Sequence, residues 1–242
     1  PSSFSNLTRL RRLTLILNNL HEPWNDNWLE NMTDLTDMYL NYNDFKMPLP
    51  KDIAQNNTGL TGLGLAGNKI YGSIPTEYGS FYKLKKLELS DNTLTGRIPT
   101  QLFPSDTHSG LPALEFLDLE ENSLNETLPI EIGNMTFLYS LRLSNNSFSG
   151  VIPSTIGNIG MNNMYRQIDI RLNGNKFSGE IPDSLGDIRK LYTLDLRDNM
   201  LTGGVSEDIC TLRNGTLQNL AVDCDKVACD CCSPTCEAAE SI

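Results

Sequence analysis

Leu84-Lys85-Lys86-Leu87-Glu88-Leu89-Ser90-Asp91-Asn92, followed by Leu94-Thr95-Gly96-Arg97-Ile98-Pro99, is the stretch that decides how this chain folds. Its first half, L-x-x-L-x-L-x-x-N, returns along the chain and closes on Asn18, Asn43, Asn68, Asn92, Asn122, Asn146, Asn175 and Asn199. The opening position of each copy is Leu10, Leu35, Leu60, Leu84, Leu114, Leu138, Gln167, Leu191 and Leu217, at intervals of 25, 25, 24, 30, 24, 29, 24 and 26 residues. Self-similarity at a fixed period of this size is the signature of a repeat architecture. The base module has 24 residues, and two insertions, Pro104–Gly110 and Gly160–Tyr165, explain the long intervals. Both fall between the proline and the next strand, on the side away from the sheet.

Each part of the phrase has a physical task. The alternation in Leu87-Glu88-Leu89 is the period of a half-buried strand, with leucines inward and Glu88 outward. One strand per repeat, paired in parallel with the next, builds a sheet. The asparagine turns the chain out of the strand, and its amide offers bonds to backbone groups left open there. Stacked asparagines then form a ladder. Leu94, Phe148, Phe177 and Leu201 fill the core, glycines 72, 96, 150, 179 and 203 suit a tight bend, and Ile-Pro starts the return segment. No coil buries its own leucines, so stability comes from stacking.

These residues resemble the plant-specific type of leucine-rich repeat, L-x-x-L-x-L-x-x-N-x-L-x-G-x-I-P, from Pro1 to about Asp225. The resemblance implies an α/β repeat solenoid: a right-handed curved leucine-rich repeat array with a parallel sheet on its concave face, as in receptor-kinase ectodomains and polygalacturonase-inhibiting proteins. Repeats would occupy 1–216 (about eight), and the last coil with a cysteine-rich cap 217–242. Several repeats depart from the pattern. The first carries His21–Trp28 in place of the Gly-x-Ile-Pro segment, the fifth has no glycine in Asn125-Glu126-Thr127-Leu128-Pro129, and the eighth reads Gly204-Val205-Ser206. Pro1 aligns with Pro153, so an earlier repeat and an N-terminal cap are expected upstream. The cap spacing, D-C followed by C-x-C-C-x-x-x-C, is similar to caps of algal leucine-rich repeat proteins.

All six cysteines, Cys210, Cys224, Cys229, Cys231, Cys232 and Cys236, lie in the last 33 residues. Seven glycosylation sequons occur, at Asn6, Asn31, Asn56, Asn125, Asn134, Asn145 and Asn214. Together they favour an oxidising secretory compartment, hence an extracellular or cell-surface location. Three disulfides are the expected use of the cysteines, with a zinc site as the alternative. Spacing does not select the pairing, although neighbouring Cys231 and Cys232 meet disulfide geometry poorly.

The chain carries 30 acidic and 19 basic residues, a net charge of −11, which argues against nucleic acid and anionic lipid as partners. Two isolated histidines and the absence of nucleophile-elbow, zinc-protease or phosphate-loop motifs argue against an enzyme, and no cofactor is implied. The outward strand positions of the concave face are the candidate ligand surface. They include Tyr39 and Tyr42, a stretch of Gly62, Gly64 and Gly67, then Glu88, Phe116, Asp118 and Glu120. A column of Arg142, Arg171 and Arg197, interleaved with Asp169 and Asp195, follows. Arginine with aromatics is the composition of binding hot spots, while mutual Arg–Asp satisfaction across strands is the alternative. The acidic positions lack a calcium-loop pattern. The expected function is recognition of a protein or peptide on the concave face, with a membrane anchor or co-receptor outside this stretch. The alternatives are a secreted inhibitor of a polysaccharide-degrading enzyme and, more remotely, ice binding, for which no regular threonine column appears.

Overall fold

The computed structural model describes residues 7–21, 32–57, 59–105 and 110–232. The chain divides into two compact units, Pro1–Leu124 and Asn125–Ile242. In the first, Arg12–Thr14, Asp37–Tyr39, Gly62–Gly64, Lys86–Glu88 and Phe116–Asp118 pair in parallel, in chain order. In the second, Ser140–Arg142, Ile168–Arg171, Leu191–Asp195 and Asn219–Ala221 do the same. The repeat sets the register: Leu63 lies beside Leu87, and Leu87 beside Leu117. All three are fully buried, as are Leu94, Phe148 and Phe177. Phe148 and Phe177 stack with centroids 6.2 Å apart, so core positions of successive coils meet their own equivalents.

After the strand the chain turns through a left-handed residue. In all eight coils the residue before the ladder asparagine has positive φ: Leu17, Tyr42, Gly67, Asp91, Glu121, Asn145, Gly174 and Asp198. The expected bend glycines follow suit, with Gly96 at φ 79°. In the fifth repeat, which lacks the glycine, Glu126 takes that conformation at φ 70°.

Beyond the one strand per repeat, a second set of short parallel strands appears where a simple bend was expected. Tyr71–Gly72, Thr93–Gly96 and Ser123–Leu124 form one such ladder. Ser149–Gly150, Lys176–Glu180 and Met200–Thr202 form another. The Ile-Pro or Leu-Pro ending at Pro75, Pro99, Pro129, Pro153 and Pro182 then opens a 3-10 turn, with the proline fixing φ near its natural value, whereas Leu49-Pro50 leads into the short helix Asp52–Asn56. Glycine inside these turns lets coils stack closely: a Cβ on Gly133 would stand 2.4 Å from the backbone oxygen of Thr155.

The asparagine ladder is present and directional. Asn92 Nδ2 donates to the carbonyls of Leu89 and Ser90 in its own coil and of Leu65 in the coil before, at 3.2, 3.1 and 3.0 Å. Its Oδ1 accepts the N–H of Ile70, again in the preceding coil, at 2.9 Å. Asn43, Asn68, Asn122, Asn175 and Asn199 repeat this arrangement. In the last coil the asparagine position falls on Asp225, and Asp223, two residues earlier, closes the coil before it. A carboxylate only accepts, and it takes the N–H groups of Asp198 and Asn199 at 2.8 and 3.1 Å. Lys226 Nζ donates to the carbonyl of Asn199 and pairs with Asp223 Oδ2 at 3.3 Å. Burial opposes the Asp223 charge, but these two backbone donors and Lys226 outweigh it and hold the carboxyl below the usual range.

Beyond Asp223 the chain is stapled back. Cys210, in the helix Glu207–Leu212, bonds Cys231, and Cys229 bonds Cys232. Cys224 is also disulfide-bonded, and Cys236 lies outside the described residues. Disulfides rather than zinc thiolates therefore build this cap. Arg213 reinforces it, donating to the carbonyls of Cys231, Leu217 and Gln218. Among the described residues, a few buried polar atoms have no hydrogen-bond partner, Asn57 Oδ1, Ser140 Oγ and the fully buried Tyr78 hydroxyl among them, and burial pushes the Tyr78 pKa far up.

Candidate functional site

The exposed face of the sheet carries two patches, one in each unit. In the first, Gly62 and Gly64 lie opposite Asp37 and Tyr39 on one side and Lys86 and Glu88 on the other. Strands are about 4.8 Å apart, so side chains two strands away ordinarily do not touch. Here the middle strand is bare, and the gap closes. Tyr39 lies down over Gly62 and Gly64, where a Cβ would stand 2.2 Å from its hydroxyl oxygen and 2.6 Å from its ring, respectively. Tyr42 covers Gly67 in the same way and stays half exposed. The glycine stretch is therefore roofed by tyrosine instead of forming an open shallow floor.

Lys86 completes the patch. Its ammonium stands 5.8 Å from the Tyr39 ring centroid and 5.0 Å from that of Phe116, within cation–π reach of both. It also meets Glu88 Oε1 at 3.0 Å, and Asn41 Nδ2 donates to the other oxygen of Glu88 at 3.4 Å. Burial, ahead of the opposing field of Lys86, raises the Tyr39 pKa and keeps the phenol neutral at ordinary pH. Asp118 is turned into the structure: it is buried and accepts from Ser90 Oγ at 2.9 Å and from the Glu120 N–H at 3.2 Å. Glu120 remains partly exposed beside it. The strand alternation turns Lys86 outward like Glu88, but the candidate residues named from the sequence do not include it. The glycines on the neighbouring strand were the signal that it could reach an aromatic two strands away.

In the second unit, Arg142 and Arg171 share one carboxylate. Asp169 accepts from Arg142 Nε at 3.3 Å and Arg171 Nε at 3.0 Å. Arg197 forms a two-pronged pair with Asp195, at 2.9 and 2.6 Å, and this hydrogen bonding holds its guanidinium more firmly charged. Mutual satisfaction of Arg and Asp, one of the two readings of the column, is thus present. Such partly exposed pairs are worth only about 0.2–1 kcal/mol each.

Of the sequons, Asn125, Asn134, Asn145 and Asn214 are exposed, while Asn6, Asn31 and the side chain of Asn56 lie outside what is described. Asn145 sits in the turn at the end of a sheet strand, packed against Gly174. Among the described residues no cluster of three metal-ligating side chains occurs, and no helix is long and apolar enough to cross a membrane.

The stacked coils, asparagine ladder and disulfide-stapled end define the class: the chain is a leucine-rich repeat protein. The Leucine Rich Repeat family model matches residues 83–104, 113–135, 137–159, 168–188 and 190–212. Among particular proteins, it is similar to two from Arabidopsis thaliana. Receptor-like protein 41 is 32% identical over 159 residues, covering 65% of this chain and 17% of that protein. Receptor-like protein 31 is 39% identical over 103 residues, covering 41% and 11%. Among solved structures, the plant peptide hormone receptor RGFR1 in complex with RGF2 superimposes with a TM-score of 0.80 at 29% identity, over 95% of this chain and 34% of the receptor. A plant ice-binding protein reaches 0.74 at 23% identity, covering 95% and 68%, a likeness of fold alone. The chain spans less than a fifth of the length of the curated relatives it matches.

Proposed function

We propose that this chain is part of an extracellular recognition module that binds a peptide or protein loop on the exposed face of its sheet, and that it performs no catalysis of its own. The observation that carries the reading is the Tyr39–Lys86–Phe116 cluster beside Glu88, presented on a scaffold similar over 95% of its length to a peptide hormone receptor. Rigid aromatics flanking a cation are typical anchors, and a pre-organised sheet loses little entropy on binding. The paired arginines of the second unit supply exchangeable partners for acidic groups. The whole protein would be a cell-surface or receptor-like protein, with an anchor or co-receptor outside this stretch.

The test is a calorimetric screen of synthetic secreted plant peptides against the purified chain. A peptide bound through this face loses affinity by roughly 30-fold, about 2 kcal/mol, on Lys86→Ala or Arg171→Glu. Binding that ignores both substitutions would remove the sheet face from the account.

A further inference from the structure

The six-residue insertion Gly160–Tyr165 is unneeded by the 24-residue module, yet it is firmly built. Gly160 N–H donates to the Met135 carbonyl at 3.2 Å, and Asn162 is fixed to Thr136 through both its backbone N–H, at 2.9 Å, and its side-chain amide, at 3.0 Å. Asn163 closes the turn, its Oδ1 accepting the N–H groups of Arg166 and Tyr165 at 3.1 and 3.4 Å. This ordered turn holds apolar side chains out in water: Met161 is 68% exposed, Met164 70% and Tyr165 93%. Apolar groups held outward by a well-bonded turn mark an interaction surface.

Beside the turn lies an open cavity of about 470 Å³ within the second unit. Its lining joins Met161 and Met164 of the turn to Ile159, Ile168 and Ile188, with Arg189 and Lys190 beside them. Gly160 is required there: its φ is 68°, and a Cβ would meet the Leu138 carbonyl at 2.6 Å. The size suits one or two bulky side chains, within the usual range of about 300–1,000 Å³ for ligand sites. Its charge differs from that of the sheet face. There each arginine answers to Asp169 or Asp195, whereas Arg189 and Lys190 have no ion-pair partner among the described residues. Asp187 is the only carboxylate lining the cavity. A cavity with apolar side chains at Ile159, Ile168, Ile188, Met161 and Met164 and two cations against one carboxylate, on a chain of net charge −11, selects its own occupant.

We infer that this flank is a second docking site, separate from the sheet face, for a partner-protein segment in which a bulky apolar residue is flanked by acidic ones. The apolar side chain fills the cavity against Met161, Met164 and Ile188, while its acidic neighbours pair with Arg189 and Lys190.

A bead-displayed library of random hexapeptides with acetylated and amidated ends, panned against the purified chain, tests this. The selected peptides are expected to combine an aromatic or branched apolar residue with adjacent Asp or Glu. Their affinity should fall tenfold or more on the double change Arg189→Glu/Lys190→Glu and on Met161→Ser/Met164→Ser, with circular dichroism unchanged. Arg171→Glu and Lys86→Ala, on the sheet face, should alter it less than twofold. The inference is overturned if no acidic–apolar peptide is selected, or if the selected peptides respond to the sheet-face changes alone. It is also overturned if the methionine changes abolish self-association in sedimentation, since the occupant would then be a second copy of this chain. Loss of the sheet-face reading alone would leave the flank result standing.

Discussion

Replacing Asn92 by aspartate changes one nitrogen to oxygen and leaves shape nearly constant, so it isolates the donor half of the ladder. The acceptor half survives, because a carboxylate still takes the Ile70 N–H. The two amide hydrogens, shared among the carbonyls of Leu65, Leu89 and Ser90, disappear. Stranding a buried polar group costs about 1–3 kcal/mol, so two lost donors give about 4 kcal/mol before any charge is counted. The new negative charge faces three carbonyl oxygens and adds to this. Against a typical stability of about 5–15 kcal/mol, the loss is severe. Asp223→Asn, at the acceptor-only group two residues before the ladder position of the last coil, is the control. At that position a carboxylate is accommodated by two N–H groups and Lys226, so the change should stay within about 1 kcal/mol, the value of one hydrogen bond. Urea unfolding at pH 7, followed by circular dichroism, reads both as midpoint shifts. A cost below about 1 kcal/mol for Asn92→Asp, or equal costs at both positions, would refute the view that the ladder stabilises through its donors.

Three further outcomes are expected. Tyr78→Phe removes a buried hydroxyl that has no partner and should stabilise the chain by about 1 kcal/mol or more, seen as a higher melting temperature. Glu126→Gly restores the bend residue at φ 70° and should add about 0.5–1 kcal/mol in the same measurement; a loss would mean that Glu126 has a role beyond the turn. Asp223 has a depressed folded-state pKa, so its contribution is complete above the unfolded carboxylate value of about 3.9 and is lost as pH falls through the lower folded value. Asp223→Asn should flatten that part of the acid-unfolding curve, and an unchanged slope would contradict the assignment.

The solenoid was legible because its cause is periodic. Leucine alternation and asparagine spacing require only one-dimensional reading, and every coil repeats the same test. The left-handed residue before each asparagine was not, because Leu17, Tyr42 and Glu121 are unlike the residues usually found there. The repeat imposes that conformation against local preference. The second strand set was missed since stretches such as Ser149–Gly150 are too short to show alternation. On the sheet face, composition marked which positions face outward and misjudged how their side chains lie. Tyr39 folds across bare glycine to meet Lys86, which depends on what the strand between them lacks, and Asp118 turns inward to the Ser90 hydroxyl, a partner in another coil.

Where a ladder asparagine bonds outside its own coil, it reaches backwards: Asn92 closes open groups at Leu65 and Ile70 of the coil before it, and Asn199 does the same at Leu172 and Phe177. The stack therefore has a sense of direction, like roof tiles in which each course seals the one below. Peeling a coil from the amino-terminal side removes no seal from what remains. Peeling one from the carboxyl-terminal side leaves the newly exposed coil with unsealed carbonyl and amide groups. Fraying should start at that end, which is where Lys226, Arg213 and the disulfides are gathered.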